Sequence, residues 1–345
     1  MNVVLFSDKY KKLWTDYLNS CTSTSFYHRL EWKEVLEEVF HFTPYYLLAL
    51  DESEHVRGIL PLFEIKDILQ RPYLVSTPFA NYAGIHASCK TAEKALLDKA
   101  IEMTETLGCG YLEIRQQSRK LDLPYTKSSF VNMVLRLDSS FDIVFKNSLK
   151  ATTRNRIRKA QKSGLEAVFS RDHVDEFYKI FETNMKRLGT PAFQKDFFLK
   201  LLDVFQGNAE ILTIWKEKKA VAGMFLFTRS DLLSAPWLSS LHEYNHYCPN
   251  NLMYWEAIKY ACHRSVKYFE MGRSTVNSGT FHFKKQWGAR PVSLNYQYYL
   301  FAADKPPRVD AFNNKYDFAI KVWKKLPMWL ATRLSPMIVR HLPEL

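Results

Sequence analysis

The order strand hairpin, helix, strand is written twice along this chain, and that repetition restricts its fold more than any single motif does. In the first copy residues 45–50 read as a strand, Asp51-Glu52-Ser53-Glu54-His55 as a turn, and residues 56–65 as the returning strand. A helix follows over residues 92–107, with Ala95, Leu96, Ala100, Met103 and Leu107 at helical spacing and Gly108 as its stop. Strands over 111–115 and 130–137 close the copy. In the second copy residues 211–215, the turn Lys216-Glu217-Lys218-Lys219 and residues 220–227 repeat the hairpin, with Gly223 placed like Gly58. Residues 252–264 repeat the helix, Tyr268-Phe269-Glu270-Met271 matches Tyr111-Leu112-Glu113-Ile114, and residues 294–300 answer 130–137. Agreement in order over four elements predicts an α/β (α+β) fold of two tandem units, each a mixed sheet flanked by helices. The expected domains are residues 1–145, residues 146–304 with the active site, and a C-terminal amphipathic extension over 305–345. Residues 1–44 read as helix, on the spacing of Trp14, Leu18, Trp32, Val35, Leu36 and Val39.

Composition narrows the setting. With 47% hydrophobic residues among 345, the chain is long enough to bury two cores. Five scattered cysteines without a C-x-x-C pair argue against a disulfide framework, and they are expected to be reduced and mostly buried. The first eight residues lack the charged start and apolar middle of a signal peptide, and no apolar run is long enough to span a bilayer, so a cytoplasmic location is expected. A formal charge of +12 favours an anionic partner.

Residues 268–289 carry the densest chemistry. A short strand ends at Gly272-Arg273-Ser274-Thr275, a small-residue loop follows, and then comes Phe281-His282-Phe283-Lys284-Lys285-Gln286-Trp287-Gly288. Read as extended chain, the last segment turns Lys284 to one face and Lys285 to the other, so one lysine can enter a site while its neighbour stays in water. Arg273, just past the strand, is placed to grip a phosphate or carboxylate. The run Lys150, Arg154, Arg156, Arg158, Lys159, Lys162 has no acid within it, and on a helix it puts a cationic stripe opposite Ile157, Ala160 and Ala151. Asn251 reads as the N-cap of the second-copy helix, Trp255 as core, and Tyr254 as a residue able to line a cleft.

The doubled order resembles the acetyltransferase superfamily called GNAT, and in its doubled form the Fem family of peptidoglycan-bridge aminoacyltransferases. Residues 153–160 with Gly164, residues 251–257 and residues 268–289 carry the likeness. They resemble the Fem-related subgroup found with exopolysaccharide and exosortase systems, the BioF2-like acetyltransferases. The resemblance implies an acyl- or aminoacyltransferase acting on an amine of a cell-envelope or exopolysaccharide precursor, phosphorylated or lipid-linked, with acyl-coenzyme A or aminoacyl-tRNA as donor and no tightly bound cofactor. It implies that Lys284, in the pair Phe283-Lys284, stabilises the oxyanion. It also implies substrate contacts from Arg273, Arg187, Arg156, Tyr254, Asn251 and Phe283. The phosphate-cradling run Q/R-x-x-G-x-G/A is missing; Gln286-Trp287-Gly288-Ala289 falls one residue short of it.

Another class of reading stays open, a binding module for an anionic polysaccharide or nucleic acid without chemistry. His242-Glu243-Tyr244-Asn245-His246 satisfies H-E-x-x-H, but Pro249 follows closely and no third ligand is evident, so no metal site is expected. Residues 318–332 form an amphipathic pattern with Val322, Leu326, Trp329 and Leu330 on one face. It predicts a helix that packs on the domains or meets the inner face of a membrane.

Overall fold

The computed structural model describes residues 1–21, 24–138, 140–307 and 314–342. Two compact units divide the described chain, one drawn from residues 1–130, 293–313 and 337–345, the other from 131–292 and 314–336.

The first unit holds a four-stranded sheet in the order Asn2–Leu5, Leu47–Leu50, Val56–Leu60, His86–Ala87. The hairpin expected from the sequence is present, with Leu47 paired to Leu60. The helix Lys90–Thr106 lies so close over it that a Cβ on Gly58 would meet Leu96 Cδ1 at 2.9 Å. The single strand expected over 56–65 is instead two, Val56–Leu60 and Phe63–Lys66, in different sheets. Pro61 lies at the break; it has no N–H to continue the ladder. Residues 1–44 are not all helical either. Asn2–Leu5 is a strand antiparallel to Leu47–Leu50, because its four residues pair backbone groups along an otherwise open edge. Helices Lys11–Ser20 and Leu30–Phe40 follow, burying Trp14 and Trp32 completely.

The second unit is a sheet in the order Leu165–Phe169, Ala209–Lys216, Lys219–Arg229, Leu232–Ser240, Tyr268–Thr275, then residues 131–136. The first four strands run antiparallel in turn, and Leu232–Ser240 pairs parallel with Tyr268–Thr275. Lys219–Arg229 shows why this sheet is covered on both sides. Its residues from Val221 to Phe227 are all buried. Met224 and Leu226 join Ile157 of the helix Ala151–Lys162 and Leu252, Ala257 and Ile258 of the helix Pro249–His263. Phe225 and Phe227 face the opposite way, into a ring cluster with Phe177, Phe198 and Trp237. The strands Leu165–Phe169 and Leu232–Ser240 and the helix Lys195–Val204 are additions to the pattern read from the sequence.

The expected C-terminal helix is broken in two, Asn314–Lys325 and Met328–Val339, at Leu326-Pro327, where proline withholds the N–H that would continue the first segment. Trp323 is buried rather than Trp329, and Thr332 Oγ1 donates to Glu182 at 3.0 Å, so the segment rests on the helix Val174–Leu188. None of the five cysteines is in a disulfide, and only Cys109 is buried, fewer than expected. Among the described residues no helix is long and apolar enough to cross a membrane.

Candidate active site

The strand Tyr268–Thr275 runs past Gly272 instead of ending there, and Gly272 lies at φ +84°. In a regular strand successive carbonyls point to opposite sides; the left-handed glycine rotates the chain so that two in succession point the same way. The side chain they receive is Lys284. Its Nζ donates to the Gly272 carbonyl at 2.9 Å and to the Arg273 carbonyl at 3.0 Å.

Lys284 reaches them from a helix, not from the extended segment expected from alternation. Residues Gly279–Lys285 form one short helix, begun by Ser278, whose hydroxyl accepts from the Phe281 N–H at 3.2 Å. The two lysines still part company, because adjacent helical residues lie about 100° apart. Lys284 is 6% exposed and Lys285 is exposed. Beyond the helix, Gln286 accepts from Thr153 at 3.4 Å, and Gly288, at φ +87°, lies so close to Ser148 that a Cβ there would be 3.3 Å from its carbonyl.

Burial is the larger reason that the Lys284 amine titrates low, at about 7, and the nearby Arg273 guanidinium adds to it. Near neutral pH both forms are therefore populated. With two N–H groups given to main-chain carbonyls, the ammonium has one N–H remaining and the neutral amine one lone pair. The first suits stabilisation of a developing oxyanion, the second acceptance of a proton.

Around the lysine, Phe283 and Trp287 pack on Tyr254, with ring centroids 5.5 and 5.7 Å from it. Burial raises the Tyr254 hydroxyl well above the ordinary phenol range. Trp287 is fully buried, and neither its Nε1 nor the buried Ser274 Oγ has a hydrogen-bond partner among the described residues. These two donors belong to the segments that hold Lys284, and the sequence reading did not single them out. It also passed over Glu270, a buried carboxylate two residues before Gly272, which accepts from Asn132 Nδ2 at 2.9 Å and from Ser234 Oγ at 2.8 Å. One signal was available: an acid within the apolar strand Tyr268-Phe269-Glu270-Met271 needs partners to be buried there.

The structure thus gathers Lys284, Arg273, Phe283 and Tyr254. Asn251 is buried in the first turn of the helix Pro249–His263 but is not its cap; Cys248, in the left-handed region, takes that position, with Pro249 starting the helix. Arg156 is exposed on the helix Ala151–Lys162, near a shallow concavity of about 380 Å³ lined by Asn155, Arg158, Lys159, Lys162 and Ser163. Ala151, expected on the packed side of that helix, is exposed, and Thr153 is buried in its place because it lies four residues, about one turn, before Ile157 on the same face, whereas Ala151 lies about 120° away. Arg187 is exposed in the last turn of Val174–Leu188 and bonds Asn184 Oδ1 at 2.9 Å. His242 and His246 are exposed on a 3-10 turn, where four residues separate side chains by about 120° and do not place two imidazoles on one side.

Two family models match parts of the chain. Residues 147–285 match the acetyltransferase (GNAT) domain and residues 72–215 match the FemAB family, so each of the two likenesses read from the sequence is met by a transferase-type family over part of the chain. Among solved structures it is similar to FemX, at 15% identity over 88% of this chain and 98% of that one, with a TM-score of 0.65. It is also similar to a tandem GNAT protein from the clavulanic acid biosynthesis pathway, at 10% identity, 88% and 99% coverage and a TM-score of 0.56. A third, L-PGS from Bacillus licheniformis, gives 13% identity, 90% and 97% coverage and a TM-score of 0.52. At these identities the likeness is one of fold, and it agrees with the two-unit α/β arrangement. No curated protein matches the sequence.

Proposed function

We propose that this chain transfers an acyl or aminoacyl group from acyl-coenzyme A or aminoacyl-tRNA to an amine of a cell-envelope or exopolysaccharide precursor. The observation that carries the reading is the buried Lys284 amine, fixed by the Gly272 and Arg273 carbonyls inside the GNAT-matched segment. In the reaction the acceptor nitrogen adds to the donor carbonyl, the C–S or C–O bond breaks, and the amine proton leaves with the thiol, the hydroxyl or water. Lys284, as ammonium, gives its remaining N–H to the oxygen on which charge builds, a contribution of about 3 kcal/mol if it matches other single oxyanion donors. Arg273, Arg156 and Arg187 hold phosphates or carboxylates of the substrates, while Tyr254, Phe283 and Asn251 shape the pocket. Arg158, Lys159 and Lys162 beside Arg156 support a phosphate-bearing donor or acceptor.

The test is to supply the purified chain with labelled acetyl-coenzyme A and, separately, charged tRNA, each with amine-bearing envelope precursors. Transfer from either donor, reduced at least tenfold in Lys284→Met, is the expected result. Equal rates in wild type and variant remove Lys284 from the mechanism. Salt-sensitive binding to polyanions without transfer from any donor replaces the reading with that of a binding module.

A further inference from the structure

Helix Met328–Val339 is built inside out for a surface helix. Its buried side is small, with Ala331, Ser335 and Val339 at 3%, 3% and 0% exposure, while Trp329 and Met337 stand 68% and 65% exposed. Trp329, Arg333 and Met337 fall on one stripe, since positions four apart advance the helix by only about 40°, and Arg340 follows in the turn past its end. Leu330, Leu334 and Ile338 flank the stripe, half-buried. The other tryptophans do not behave this way. Trp14, Trp32, Trp237, Trp255, Trp287 and Trp323 are buried and Trp215 is half-buried, so among the described residues Trp329 alone is given to solvent.

Charge says what this face meets. Residues 318–342 contain no Asp or Glu but include Lys321, Lys324, Lys325, Arg333 and Arg340. Lys321, Lys324, Lys325, Arg333 and Arg340 are all exposed. Lys186, from the helix Val174–Leu188, adds another cation at this place, bonding the Lys324 carbonyl at 3.1 Å. Apolar side chains ending in Trp and Met, edged by exposed cations, with the half-buried Glu182 held by Thr332 as the acid beside them, match the interface of a bilayer that carries anionic headgroups: rings and thioether enter the acyl boundary and the cations stay at phosphate level. The helix is too short to span.

We infer that the Trp329–Met337 face docks this chain reversibly on an anionic membrane surface. The inference is independent of the role of Lys284. The test is co-sedimentation of the full chain with vesicles of phosphatidylcholine alone and of phosphatidylcholine with a quarter phosphatidylglycerol, at 50 and 500 mM salt. The wild type is expected to partition onto the anionic vesicles at low salt, and at least tenfold less onto neutral vesicles or at high salt. Trp329→Ser with Met337→Ser should lose at least tenfold in partitioning, while its melting curve confirms folding, as expected for exposed positions. Arg333→Gln with Arg340→Gln should reduce the salt dependence, and Lys284→Met should bind as wild type does. Wild-type protein that stays in the supernatant with both vesicle types overturns the inference, as does a folded serine variant that binds undiminished.

Discussion

The Nζ of Lys284 lies 2.9 Å from the carbonyl oxygen of Gly272, a residue that holds φ +84° and therefore turns that oxygen toward the amine. A side chain at position 272 must adopt a left-handed conformation costing about 1–2 kcal/mol. Its Cβ must also sit 3.0 Å from the Ala235 carbonyl. Gly272→Ala is therefore expected to lower unfolding stability by about 1–3 kcal/mol. It should also depress transfer, because the acceptors of Lys284 move; urea melts and initial rates on the same preparation check both.

Lys284 also makes stability depend on pH. Its folded value, about 7, lies below the ordinary lysine value of 10.5, so between those limits the unfolded chain holds a proton that the folded chain has released. Stability from this residue therefore rises with pH through that window, and the cost of the buried ammonium is fully present below about 7. Lys284→Met removes that cost and leaves two carbonyls unpaired at every pH. The difference in stability, wild type minus variant, should grow from pH 6.5 to pH 9.5 by several kcal/mol. A flat difference across parallel melts would show that Lys284 titrates normally.

Arg273 lowers the Lys284 pKa as the second cause after burial. If the ammonium is the working form, turnover should fall as pH rises through about 7. Arg273→Gln should move that limb upward, but only part of the way to the ordinary lysine range, because burial persists. A pH–rate profile of the variant with an unmoved or lowered limb contradicts the arrangement.

Ser278 starts the helix that carries Lys284. Ser278→Ala should cost about 1 kcal/mol by loss of the cap. In a helix this short the loss falls on the segment that carries Lys284, so on the proposed mechanism the rate should drop more than the melting temperature alone explains. Restoration by Ser278→Asp is the check that the cap, not the serine hydroxyl, matters.

The hairpin and helix of each copy were legible because long helices leave a period-3.6 signal, as in Lys90–Thr106, and doubly covered strands leave a continuous apolar run after a turn, as in Lys219–Arg229; the closing strands were given to the wrong copies, since residues 131–136 fall in the second unit and 293–300 in the first. Lys284 was singled out correctly as the lysine that leaves solvent, but through the wrong geometry. Phe281-His282-Phe283-Lys284 alternates over too few residues to separate strand from helix, and the cap at Ser278 decided the matter. Gly272 read as a stop because glycine usually ends strands; here it bends one that continues. The first turn of Pro249–His263 was misjudged for the opposite reason, since Asn251 looked like a cap while Pro249 marked the true start. The contacts of Glu270 with Asn132 and Ser234 join residues far apart in sequence, and no local pattern encodes them.

What steadies the Lys284 amine is main chain. The charge beside the amine can therefore be changed at Arg273 without removing the two carbonyls that hold it. Tyr254 gives no such freedom, since it is buried against Phe269, Phe283 and Trp287, and an engineer wishing to retune the amine works on Arg273 and leaves alone the glycine that bends the strand.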